Sequence, residues 1–244
     1  MRWKISSAKT TGNRHNLNED SIRQTPYDDF LCVVGADGAG IAKCARIGAD
    51  FTTQTVRELL IKHKDGIFNY TDDEIKCILL DNLNDKLSAL AKKDGNNIDD
   101  YMSTLMFFIS NGEKYIIGNL GDGLLGSMDS EGKSEVLSLP EHGKYANQSF
   151  FVTHKNSKDH LRIHKGRYES HKVYFMMTDG SAECLYNFNL KSFANILKVF
   201  CEWIIKYEPH KVSDYIQIAM IKLFGSKTSD DCSLALIYGV EDRK

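Results

Sequence analysis

The sequence predicts an α+β domain whose antiparallel sheets pack together with helices outside. Three observations carry that expectation. Segments with an apolar period of two stand on both sides of segments with a helical period. The helical segments come in consecutive pairs, so the order is not a βαβ alternation. The central strand-like segments are joined by tight turns of the Asn-Gly and Gly-Asp-Gly kind, as in antiparallel ladders.

In chain order, Phe-Leu-Cys-Val-Val-Gly-Ala at 30–36 is a short apolar run that stops at Asp37-Gly38, which predicts a buried strand feeding a loop. From about 42 to 64 the spacing of Ile47, Phe51, Val56, Leu59 and Leu60 predicts a helix. Ile75, Ile78, Leu79, Leu83, Leu87 and Leu90 predict a second one over 72–93. The period then changes to two over 102–110, Asn111-Gly112 signals a hairpin, and 113–119 is its return strand. Gly121-Asp122-Gly123 is read as a sharp hairpin turn before a strand at 124–128. Short apolar runs separated by loops fill 135–170, and the charged stretch 153–170 is read as a surface hairpin, with a flap over the site as the alternative. A buried strand at 173–177 ends at Thr178-Asp179-Gly180. Helices are expected at about 189–207, where Trp203 reads as core, and at 211–224. A strand at 232–240 closes the chain.

The bulk numbers bound the function. The chain has 244 residues, 42% hydrophobic and 26% charged, which is ordinary for a globular protein and enough for one large domain. We expect a single domain over 1–244. The 31 basic and 33 acidic residues are mixed along the chain, which argues against a nucleic-acid partner. No apolar run reaches the ~20 residues of a membrane-spanning helix, and no secretory signal is visible, so a cytoplasmic, monomeric protein is expected. Six scattered cysteines form no C-x-x-C pair, and the eight histidines show no metalloprotease spacing.

The informative residues are acids at the ends of apolar strands: Asn18-Glu19-Asp20, Asp37-Gly38, Asp122-Gly123, Asp179-Gly180 and Asp230-Asp231. A single Asp-Gly is ordinarily a turn. Several of them ending strands of one sheet system can instead converge at an edge, where carboxylates repel one another and raise their own pKa values unless cations neutralise them. Hard divalent ions take such oxygen ligands, and a Gly beside the Asp lets a backbone carbonyl turn toward the ion.

These segments resemble the metal-dependent protein phosphatases, the protein phosphatase 2C-like family. Asp37-Gly38-Ala39-Gly40 resembles the family's Asp-Gly-x-Gly element, and Asn18-Glu19-Asp20-Ser21 its first acidic motif. Ser103-Thr104-Leu105 followed by Gly118-Asn119-Leu120-Gly121-Asp122-Gly123, then Met176-Met177-Thr178-Asp179-Gly180, then Asp230-Asp231-Cys232-Ser233, match the remaining motifs in order. Together they cover residues 12–237, and the Ala39 variant is most similar to a bacterial branch. The resemblance implies a four-layer αββα sandwich, with two antiparallel sheets face to face and helices outside. It implies hydrolysis of phosphoserine and phosphothreonine esters by water activated between two divalent ions, Mn²⁺ or Mg²⁺. Asp37, Asp179 and Asp230 match the direct ligands, with the Gly38 carbonyl as a further one. Asp122 matches the acid that helps hold a third ion with the Asp179 equivalent. Glu19 or Asp20 would act on metal-bound water, and Asp20 is also counted among the candidate metal-binding residues. Asp231 is expected on the other face of its strand and outside the ligand set.

The chain also departs from the pattern. Arg14 is the candidate phosphate contact, although it stands one residue farther from Asp20 than is usual, and His15 is the alternative. Ala39 replaces the His that eukaryotic members carry as a proposed general acid. No role follows for the segment 141–150, and His142 reads as solvated. A haloacid dehalogenase-type enzyme would need an Asp-x-Asp nucleophile after the first strand, where Asp37-Gly38-Ala39 stands instead. A catalytically inactive binding or sensing module would have lost ligands, and Asp37, Asp179 and Asp230 are all present. The implied partners are a phosphoprotein substrate and a serine/threonine kinase acting on the same target.

Overall fold

A computed structural model describes residues 1–13, 16–27, 29–141, 149–225 and 227–240. Three strands come first: β1 (Arg2–Thr10), β2 (Ser21–Pro26) and β3 (Leu31–Ala36). Helices α1 (Ala45–Lys62) and α2 (Asp72–Asp94) follow. Next are β4 (Leu105–Ser110), β5 (Lys114–Leu120), β6 (Leu124–Asp129), β7 (Ser134–Ser138), the short helix α3 (Ser157–His160), β8 (Arg162–Arg167) and β9 (Lys172–Met177). The last part holds α4 (Asp179–Leu185), a small hairpin of β10 (Tyr186–Asn187) and β11 (Ser192–Phe193), helices α5 (Asn195–Lys206) and α6 (Pro209–Leu223), and β12 (Cys232–Val240). No helix among the described residues is long and apolar enough to cross a membrane.

The two five-stranded antiparallel sheets have the orders β1-β12-β9-β6-β7 and β2-β3-β4-β5-β8. Strand periodicity explains why they stack. Leu31 and Val33 of β3, Met106 and Phe108 of β4, Tyr174 and Met176 of β9, and Ala235 and Ile237 of β12 share one core between the sheets. The alternate residues face outward. Cys32, Val34, Leu105, Phe107 and Ile109 pack under α1 and α2. Phe175, Met177, Leu234 and Leu236 pack under α5 and α6. Both faces of the central strands are therefore apolar, and each large side chain buried there contributes about 1.5–3 kcal/mol. The result is the expected four-layer αββα sandwich.

Local signals set the element ends. Thr71 and Glu74 form a reciprocal capping box at the start of α2, and Gly95 ends that helix in the left-handed region. Asn111 Oδ1 accepts from the Glu113 and Lys114 amides, closing the hairpin between β4 and β5.

Some expectations require correction. The Gly121-Asp122-Gly123 turn is not a hairpin, because β5 and β6 lie in different sheets and the turn carries the chain across the sandwich. Ile47 is exposed; the first turns of α1 bury the small residues Ala45, Gly48, Ala49, Thr52 and Thr53 instead. The helix expected from about 189 starts at Asn195, after the β10–β11 hairpin. In the charged stretch 153–170, β8 is an edge strand hydrogen-bonded to β5.

Candidate metal centre

Four acidic segments meet at one end of the sandwich. The Asp37 segment leaves β3 and is zipped onto the lead-in to β4: the Asp37 amide donates to Thr104 Oγ1 (2.9 Å), the Thr104 amide to the Asp37 carbonyl (2.8 Å), and the Ala39 amide to the Met102 carbonyl (3.0 Å). A Cβ on Gly38 would stand 2.6 Å from the Ala45 carbonyl oxygen, so only glycine lets the chain pass the start of α1 at this point. Asp179 opens α4 at the end of β9, and a Cβ on Gly180 would collide with the Asp231 carbonyl. Asp122 sits in the turn that crosses between the sheets, and Ser149 Oγ donates to its Oδ2. Asp230 precedes β12 and accepts from the Asp231 amide (2.9 Å).

Asp37, Asp122 and Asp179 each present a carboxylate oxygen within 4.8 Å of the other two. They line a cavity of 230 Å³ with Gly38, Ala39, Gly40, Thr104, Ser149, Phe151 and Asp230. Asp20 is 2% exposed and lies behind Asp37, its charge acting directly on that group. Its Oδ2 accepts from Thr178 Oγ1 (3.0 Å), and the same hydroxyl accepts from the Ser233 amide (2.9 Å). Thr178 therefore ties the first acidic motif to the last strand. Glu19 is not among the lining residues; its amide donates to Asp231 Oδ2 (2.6 Å). Asp231 also accepts from the Gly12 amide (2.8 Å), so its carboxylate is engaged by backbone away from the cavity. Arg14, His15 and His142 lie outside the described residues.

The electrostatics follow from packing acids together out of bulk water. Burial, then the Asp20 and Asp179 charges, hold the Asp37 carboxyl well above the usual carboxylate range. Burial and the neighbouring Asp122 and Asp230 push Asp179 up to about 8. Burial raises Asp20 to about 6, against the pull of hydrogen bonds from Ser233 and Thr178. Such a cluster holds protons unless positive charge replaces them. Among the described lining residues the charged donors are carboxylates, with no His or Cys, which fits a hard divalent cation such as Mg²⁺ or Mn²⁺ and not a soft one.

Sequence reasoning brought Asp37, Gly38, Asp122, Asp179 and Asp230 to this site and the structure unites them. It gave no role to Thr104, Thr178, Ser149 or Phe151. Thr104 and Thr178 stood inside motifs already read. Ser149 lies in the segment 141–150, for which no role followed, and Phe151 stands just beyond it; both reach the cavity only through tertiary folding.

Comparison with known proteins gives a consistent result. The family model described as Protein phosphatase 2C matches residues 11–217. Serine/threonine-protein phosphatase 3 of Escherichia coli (strain K12) is 24% identical, over 99% of this chain and 100% of its own length. Two solved structures are alike in fold. PppA, a regulatory component of the type VI secretion system in Pseudomonas aeruginosa, superposes with a TM-score of 0.70 at 15% identity, covering 98% of this chain and 99% of its own. The catalytic domain of the serine/threonine protein phosphatase PstP, solved with 2 manganese ions, gives 0.69 at 11% identity with the same coverage.

Proposed function

The chain belongs to the protein phosphatase 2C family of protein-serine/threonine phosphatases, and on that premise we propose that its acidic cavity hydrolyses phosphoserine and phosphothreonine esters of proteins with two divalent cations, Mn²⁺ or Mg²⁺. The carrying observation is the convergence of Asp37, Asp122 and Asp179 within 4.8 Å, with Asp230 in the same wall. Bound divalent cations supply two things here, an acidified water as nucleophile and positive charge against the phosphoryl oxygens.

The remaining work belongs to the chain's own residues. Asp37, Asp179 and Asp230 hold the cations, Gly38 adds its carbonyl, and Asp122 with Asp179 provides for a third ion. Asp20 and Glu19 order the hydration around them. Arg14 is assigned to the phosphate, with His15 as the alternative. Ala39 offers no proton, so protonation of the leaving alkoxide falls to water. No cysteine among the cavity's lining residues serves as a nucleophile. Residues 1–244 act as one catalytic domain and as a monomer in the cytoplasm, opposing a serine/threonine kinase on a shared substrate.

The test is manganese-dependent phosphate release from p-nitrophenyl phosphate and a phosphothreonine peptide. Asp37→Asn and Asp179→Asn are each expected to lower kcat by about 10²-fold or more, the order seen when a group stabilising transition-state charge is removed. Unchanged rates in both variants would refute the assignment.

A further inference from the structure

Asp122 enters the cavity from a turn in which Gly121 has a φ of 109°, a conformation that favours glycine. The direction of its carboxylate depends on what fixes the peptides on either side. On one side, buried Asn119 Nδ2 donates to the Gly123 carbonyl (2.8 Å). On the other, the Gly121 carbonyl accepts from the Glu141 amide (2.9 Å) and from Arg162 Nη2 (3.2 Å). Asn119 and Arg162 are directly paired across the β5–β8 ladder, so one cross-strand pair brackets Asp122. The second arm of the guanidinium donates from Nη1 to the Leu139 carbonyl (2.5 Å), and Nε stands 3.3 Å from Glu141 Oε2. An arginine on an edge strand ordinarily carries its head into water. This one is folded back with both arms on backbone carbonyls, a two-point grip that a lysine cannot reproduce.

We propose that Arg162 is a positioning residue for Asp122. Its guanidinium fixes the Gly121 peptide, and with it the angle at which the carboxylate of the next residue meets a cation shared with Asp179. Arg162 is not among the lining residues of the cavity, so it acts through Asp122. The inference rests on the reading above that Asp122 helps hold a divalent ion, and it gives the charged stretch 153–170 a part in the site.

The experiment is a double-mutant cycle read in two ways. Manganese binding is titrated by calorimetry for the wild type, Asp122→Asn, Arg162→Ala, Arg162→Lys and the Asp122→Asn/Arg162→Ala double variant. The kcat/KM on p-nitrophenyl phosphate is measured beside it at one fixed manganese concentration, and urea denaturation in chelator establishes that each protein is folded. Arg162→Ala is expected to weaken the manganese-binding event that Asp122→Asn removes by about 10- to 100-fold, the range for a group that orients a metal ligand, and Arg162→Lys by less. In the Asp122→Asn background, Arg162→Ala is expected to change kcat/KM by less than about twofold, because the residue through which it acts is gone. An arginine that merely supports the fold would cost the same in both backgrounds. Wild-type manganese affinity in folded Arg162→Ala, or equal losses in the two backgrounds, overturns the proposal. If the Ala variant does not fold, Arg162→Lys carries the same comparison, and wild-type affinity there overturns it equally. If Asp122→Asn itself leaves manganese binding unchanged, the assignment of Asp122 fails and the inference falls with it, while Asp37→Asn still reports on the rest of the phosphatase reading.

Discussion

At the scale of single residues, the site is a set of acids that the fold keeps from ionising together. Asp179 at about 8 and Asp20 at about 6 both titrate above the roughly 3.9 of a free aspartate. Between those limits the native chain without metal binds more protons than the unfolded chain, so its stability falls as pH rises. Thermal melts in chelator are expected to show a midpoint that drops from pH 5 to pH 8, and Asp179→Asn is expected to flatten that drop. A midpoint rising over the window in the wild type, and unaffected by the substitution, would contradict the cluster. Cations compete with the same protons, so manganese binds more tightly as pH rises over this range. Thr178 is the other residue on which much depends. Its hydroxyl serves both buried Asp20 and the Ser233 amide, and Thr178→Val leaves both without it. The expected loss is about 1–3 kcal/mol in urea denaturation, with Thr178→Ser restoring most of it.

At the scale of elements, the aspartates are placed by strand ends and by close backbone crossings. Gly180 is where α4 passes the Asp231 carbonyl, and Gly180→Ala forces the ends of β9 and β12 apart. That change is expected to cost about 1–3 kcal/mol and to weaken manganese affinity, read by denaturation and by metal titration. Wild-type affinity in a normally folded Gly180→Ala would show that this crossing does not set the site. The same scale explains which elements were legible in the sequence. β3, β9 and β12 lie between a sheet core and a helix layer, so their residues are largely apolar on both faces and the strands are bounded by turns. α1 and α2 show because one stripe packs on that sheet. β1 was missed because its alternation is short: Trp3 and Ile5 alternate with polar residues, and Ser7 then breaks the period. Its helix-facing polar side chains are satisfied by helix ends: Lys4 Nζ donates to the Ile205 and Tyr207 carbonyls (both 3.1 Å) at the end of α5, and Ser6 Oγ donates to the Pro209 carbonyl (2.8 Å). Gly121-Asp122-Gly123 misled for a related reason, as the same turn chemistry serves a hairpin and a crossing between sheets.

At the scale of the whole molecule, the sandwich brings together acids separated by up to nearly two hundred positions in the chain. Asp37 comes from one sheet, Asp179 and Asp230 from strand ends of the other, and Asp122 from the turn between them. Each acid was readable as standing at a strand end or in a turn; their meeting was not, because it depends on how two sheets stack. The central claim is that this meeting grips a pair of divalent cations. Equilibrium dialysis against manganese, with the metal counted per chain, tests it most directly. Wild-type protein is predicted to retain two ions, and Asp37→Asn one or none. Equal uptake by the two proteins, or no uptake by either, would contradict the account.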